Sequence, residues 1–308
     1  MQTESLPPAP AIYHKYCSAA RIDILEYQRL RFTPRGELND PFELLMGAGF
    51  LERPEEQERL AKAIAGELEK LQISKRAAAP SLSEVSGETL YQHSLTKLRS
   101  SDQLELAKEA AIESMIRRSD PFRILCLCGT PPDNPNALPM WAHYAENHAG
   151  FALGFDAKHP WFPPVGNTAA DTLCRRVTYK TTRHEVDDPD EQGVFFSKAR
   201  CWSYEDEHRI VKNISRAPDL ETATVDALAP FPARALISIT LGARCHSTTI
   251  RKVSLMLRNV AFRHVRLYYG AMCTDTYRIR CSTEPPSLKA REIMDKVYGR
   301  RTNQTALR

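Results

Sequence analysis

The chain has 308 residues, 42% hydrophobic and 26% charged, with a formal net charge of +4. That composition suits a globular protein able to bury a core, and the charge excess is too small by itself to indicate nucleic acid. No apolar run approaches the roughly 20 residues of a membrane-spanning helix. The N-terminus, MQTESLPPAP, lacks the basic region and apolar core of a secretory signal. A cytoplasmic location without membrane contact is expected.

Taken in order, Ile12–Cys17 alternates as a short strand. Residues 22–27 predict a brief helix with Ile22, Leu25 and Tyr27 inward, and Arg29–Thr33 a second strand. Asn39-Asp40-Pro41 is a turn signal: proline pushes the preceding residue out of the helical region, and Asn and Asp fold onto local backbone. A helix is expected from Phe42 to Met46. Leu60, Ile64, Leu68 and Leu71 then recur at helical spacing, and a second helical stretch is expected over residues 88–118. Residues 52–118 read as an all-helical insertion in a core formed by 11–51 and 119–282, with 283–308 as a C-terminal helix and basic tail.

The core resumes with the apolar strand Phe122–Cys128 and continues through a short helical turn at Pro139–Tyr144 and a strand at Phe151–Phe155. Further strands are expected over 174–179, 207–212, 235–241, 265–269 and 276–280. Residues 194–202 predict a helix carrying Lys198 and Arg200, and 181–192 an exposed acidic loop. Residues 248–260 predict a helix with Ile250, Val253, Leu257 and Val260 inward. Strands and helices do not alternate strictly, and neither G-x-G-x-x-G after a strand nor G-x-x-x-x-G-K-[ST] occurs. The expected class is α+β, with a mixed, mostly antiparallel sheet.

None of the eight cysteines forms a C-x-x-C pair. Cys126 and Cys128 share one face of a strand with no second pair at zinc-ribbon spacing, so they read as small buried hydrophobes. No H-x-x-x-H or H-E-x-x-H helix motif is present, and no metal centre is expected; G-x-S-x-G is also absent.

Three segments carry candidate chemistry. Asn39 and Asp40 either cap a turn or face a pocket. Trp141, His143 and Tyr144 set an indole, an imidazole and a phenol close together, either as a core cluster or as a surface to stack and hydrogen-bond a ring. His148, just ahead of Gly150, reads as a cap or surface residue. Within Trp202–Arg209, a strand would place Glu205 and Glu207 on one face. Close carboxylates raise one pKa unless cations compensate, and Lys198, Arg200 and Arg209 are near in sequence. The competing reading is a surface salt-bridge ladder.

Tyr13-His14-Lys15-Tyr16, Arg31-Phe32-Thr33-Pro34, Asn39-Asp40-Pro41-Phe42-Glu43, Met140-Trp141-Ala142-His143-Tyr144 with His148 and Gly150, and Lys198 with Trp202, Tyr204, Glu205, Glu207 and Arg209 together resemble a bacterial family known only as a domain of unknown function (twenty-nine seventy-one). The resemblance implies a bacterial or phage-related source near mobile or defence genes, and no activity. In outline the chain is also similar to ADP-ribosyltransferases. That likeness implies His14 on the early strand at a ligand, Tyr144 or Trp141 stacking nicotinamide, and Glu205 or Glu207 binding the ribose of NAD. The departures are a helical middle motif and the lack of a Ser-Thr-Ser motif.

The expected site therefore has Glu205, Glu207, His143 and Tyr144 as catalytic groups, with His14, Tyr16, Asn39, Asp40, Trp141, Lys198 and Arg209 binding the ligand in one polar cleft. The expected function is a toxin- or antiviral-defence-type effector that consumes NAD as substrate, by ADP-ribosyl transfer or cleavage, on a protein or nucleic-acid target. A nuclease using His143, Glu205 and Glu207, with Lys198 and Arg209 on phosphate, is the second reading. A nucleotide- or phage-protein-binding sensor without turnover is the third.

Overall fold

The computed structural model describes residues 10–78, 85–169, 172–185, 190, 192–216, 221–223 and 226–298. The Pro-rich start, the basic end and most of the acidic 186–191 stretch lie outside these. Two compact units emerge: Met1–Asn39, Pro121–Tyr179 and Arg200–Arg308 form one, and Asp40–Asp120 with Lys180–Ala199 form the other.

In chain order the elements are β1 Ile12–Cys17, α1 Asp23–Tyr27, β2 Arg29–Pro34, α2 Pro54–Ala78, α3 Gly87–Leu98, α4 Ser101–Ser119, β3 Phe122–Cys128, α5 Leu138–Tyr144, β4 Phe151–Asp156, β5 Asn167–Ala169, β6 Thr172–Arg176, β7 Thr178–Lys180, β8 Ser197–Ala199, β9 Glu207–Asn213, β10 Glu221–Ala223, β11 Asp226–Pro230, β12 Leu236–Leu241, α6 Ser247–Met256, β13 Arg266–Met272, β14 Ile279–Ser282 and α7 Leu288–Tyr298. The class is α+β.

The larger unit is built on a sheet ordered β10-β11-β2-β3-β1-β4-β12-β13-β14, with β9 also pairing β3 and β6 pairing β5 and β9. The β12–β13 pair is parallel, and the other pairs described in this sheet are antiparallel. Strand β3 is a fork. One edge pairs with β9 along its whole length, while the other pairs with β2 at its start and with β1 at Cys128.

Alternation assigns the faces. Tyr13 and Cys17 of β1, Phe151, Leu153 and Phe155 of β4, and Ile239 and Leu241 of β12 join one buried cluster, closed by Val253 of α6 and Phe262. Each of the Val, Leu, Ile and Phe side chains among these stabilises the fold by about 1.5–3 kcal/mol through burial. Tyr16, Cys128 and Ala152 point the other way, against Met140 and Trp141 of α5. The second unit packs α2 on α3 around Ala61, Leu95 and Leu98.

Several local expectations are corrected. Tyr27 is exposed, because the chain leaves α1 through the left-handed Gln28. No helix forms over 42–46: Asp40 Oδ1 accepts the Phe42 N–H at 2.9 Å, and Leu44 adopts φ +58. Residues 194–202 are not one helix but a 3-10 turn, strand β8 and a second 3-10 turn, Arg200–Glu205. The long stretch 88–118 is two helices, because the extended backbone of Ser100 breaks it. Val260, beyond the end of α6, is exposed.

Candidate functional site

Residues directly opposite one another across paired strands share a face. One such row runs across the larger unit: Glu207, Cys128, His14, Gly154, Ser238 and Arg266. Helix α5 covers the Tyr16 and Ala152 part of this face. Beyond it lies a groove of about 690 Å³, lined by Ile12, His14, Ser238, Thr240, Arg266 and Tyr268 and by the loop Pro131–Asp133.

Gly154 supplies the floor of that face. A Cβ there would sit 2.2 Å from the Ser238 hydroxyl oxygen, so the serine occupies the space a side chain would take. His14 is buried, and its Nδ1 has no hydrogen-bond partner. Burial pushes its pKa down to about 4, so the ring is neutral at physiological pH. Thr240 is buried, Tyr268 is half-buried, and Arg266 is exposed at the rim. Ser238, Thr240, Arg266 and Tyr268 escaped the sequence reading, although Ser and Thr two apart in ALISITL put two hydroxyls on one strand face.

The expected residues from distant segments meet in part. The Tyr144 hydroxyl donates to Glu205 Oε1 at 2.5 Å and accepts from the Asn39 side-chain amide. Burial first, then the charge of Glu205, raises the Tyr144 pKa well above the usual phenol range, which keeps it a donor. His143 is exposed, between the rings of Tyr144 and Tyr204 at 6.3 and 6.2 Å.

Other expectations are corrected. Trp141 presents no stacking face to a ligand: it is fully buried, donates its indole N–H to the Pro132 carbonyl at 2.9 Å, and packs between Tyr16 and His148. Tyr16 is buried against that indole, and its hydroxyl has no partner. Glu205 and Glu207 do not share a strand face. Glu205 ends a 3-10 turn, Asp206 takes φ +43, and Glu207 opens β9. Glu207 instead holds Arg209 in a buried bidentate pair at 2.8 and 3.0 Å, so neither projects into solvent as a phosphate- or proton-handling group. Asp206, not singled out from sequence, receives Arg176 at 2.6 Å and the Thr130 hydroxyl at 3.2 Å.

Asp40 and Lys198 belong to the second unit. There Lys198 pairs with Glu43 at 2.9 Å, both nearly inaccessible. Both residues, with Asp40, line a pocket of about 330 Å³ formed within that unit. Among the described residues, no three His, Cys, Asp or Glu side chains gather to hold a metal.

The spacing between α5 and β4 has a steric cause. Glu146, Asn147 and His148 all have positive φ. Gly150 then passes so close to β1 that a Cβ would lie 2.0 Å from the Cys17 carbonyl oxygen, and Gly242 crosses His148 with a Cβ position 2.2 Å from its carbonyl oxygen. His148, expected as a cap or surface residue, is a half-buried turn residue stacked on Trp141, with its carbonyl accepting the Arg244 N–H at 2.9 Å.

Fold and site together define an α+β protein with an open groove over one sheet face, its lining mostly apolar with a few polar groups. Residues 140–210, from α5 through β4 to Ile210 of β9, match a family described as a protein of unknown function (DUF2971). No curated protein and no solved structure matches the chain.

Proposed function

We propose that the protein acts on NAD, cleaving the nicotinamide–ribose bond and passing ADP-ribose to water or to a target. The observation that carries this reading is His14: a buried, neutral imidazole whose buried Nδ1 has no hydrogen-bond partner, in the wall of a groove beside Gly154. A neutral ring exchanges hydrogen bonds with sugar hydroxyls and brings no charge of its own. Ser238 and Thr240 add hydroxyls from β12, on the far side of β4, and Arg266 at the rim offers a cation to a pyrophosphate. At about 690 Å³ the groove falls within the roughly 300–1,000 Å³ of ligand pockets.

In this reading the ribose reaches Glu205, which is buried and does not itself line the groove, and the carboxylate stabilises the positive charge that grows at the anomeric carbon as nicotinamide departs with the bonding electron pair. Water or the acceptor then attacks that carbon and gives up its proton. Tyr144, itself fixed by the Asn39 amide, donates to the carboxylate and sets its orientation. Arg266 and His14 anchor the rest of the dinucleotide.

The experiment is incubation of the pure full chain with NAD, following nicotinamide. Release is expected, lost in E205Q and weakened through KM in H14A. No release, with wild type and E205Q identical, sinks the proposal. Stabilisation by NAD without release identifies a sensor, and metal-dependent RNA or DNA degradation identifies a nuclease.

A further inference from the structure

The pocket of the second unit has its own chemistry, independent of the NAD reading. Its wall is the buried pair Lys198–Glu43, and Lys180 and Arg183 add two half-buried cations. The Arg183 guanidinium sits 4.9 Å from the centroid of the Phe42 ring, which is 59% exposed. Asp40 is 5% exposed, and its two oxygens differ. Oδ1 accepts the Phe42 N–H at 2.9 Å, and Oδ2 is buried with no partner.

A buried acceptor without a donor invites a ligand that supplies one. The lining carries three cations and two carboxylates, so the same ligand should also bear negative charge. A partly open aromatic ring suits a planar group. We propose that this pocket binds a mononucleotide with an amino-substituted base: the amino group donates to Asp40 Oδ2, the base lies against Phe42, and the phosphate meets Lys180 and Arg183. Its volume, about 330 Å³, is at the small end of ligand pockets.

Titration calorimetry on the full chain tests this with adenosine 5′-monophosphate. Purine riboside 5′-monophosphate lacks only the amino group, and adenosine lacks only the phosphate. Each should bind about tenfold or more weakly. D40N keeps the acceptor for Phe42 but presents a donor in place of Oδ2. It should prefer inosine 5′-monophosphate, whose corresponding substituent is a carbonyl. Adenosine 5′-monophosphate is also half of NAD, so H14A is the control, and its affinity should equal that of wild type. Equal affinities of wild type and D40N for all ligands, loss of binding in H14A with retention in D40N, or no binding by protein with a normal thermal melt each overturn the proposal.

Discussion

The hydroxyl oxygen of Ser238 lies 2.2 Å from where the Cβ of residue 154 would be, so the groove beside His14 has a floor only because that residue is glycine. A methyl group there forces Ser238 to turn and meets Ile12 at 3.3 Å. G154A should fold, with a loss of about 1–3 kcal/mol. It should weaken NAD binding more than tenfold, read by calorimetry beside a denaturant melt. Unchanged affinity in the folded variant would place the ligand elsewhere.

His14 gives stability a pH dependence of fixed sign. The native ring stays neutral down to about pH 4, while the unfolded imidazole takes a proton near its ordinary 6.5. Between those values the unfolded state binds more protons, so stability falls as pH drops through that window. The total from this residue is about 3 kcal/mol. H14Q should show a flatter loss between pH 7 and 4.5 in urea titrations. A profile parallel to wild type would contradict the buried neutral ring.

Glu207 and Arg209 form a buried bidentate pair. E207L leaves a buried guanidinium short of its carboxylate and should cost about 3–5 kcal/mol. The midpoint of chemical unfolding reads this directly. A shift below 1 kcal/mol would mean that Arg209 is satisfied without Glu207.

Gly150 meets backbone, not a movable side chain. A Cβ at 2.0 Å from the Cys17 carbonyl oxygen must displace β1 or the turn. G150A should therefore destabilise more than G154A and lower the melting temperature by several degrees or more. Equal melts for the two variants would show that the turn yields freely.

The sheet was legible where period and composition agreed. Alternation in Ile12–Cys17 and the runs Phe122–Cys128 and Phe151–Phe155 gave β1, β3 and β4. Failures came where a local hydrogen bond or a left-handed residue overrode the pattern, as at Asp40, Leu44 and Asp206. Helical spacing marked Leu71, which is 54% exposed, because periodicity shows a stripe and not whether anything covers it. The meeting of Tyr144 with Glu205 and Asn39 joins side chains far apart along the chain, which no short-range pattern encodes. The groove's hydroxyls were hidden inside a strand that looked purely structural.

The pairing of β12 with β13 has a consequence for access. A parallel pair cannot be joined by a tight hairpin and needs a crossover, and here the crossover contains α6. Val253 of that helix packs on the sheet surface opposite His14. Helix α6 is thereby committed to the far side, and of the connecting segment only its returning end comes round to the groove, where His264 joins the lining. A molecule entering that groove would therefore meet strand and loop side chains and not the crossover helix.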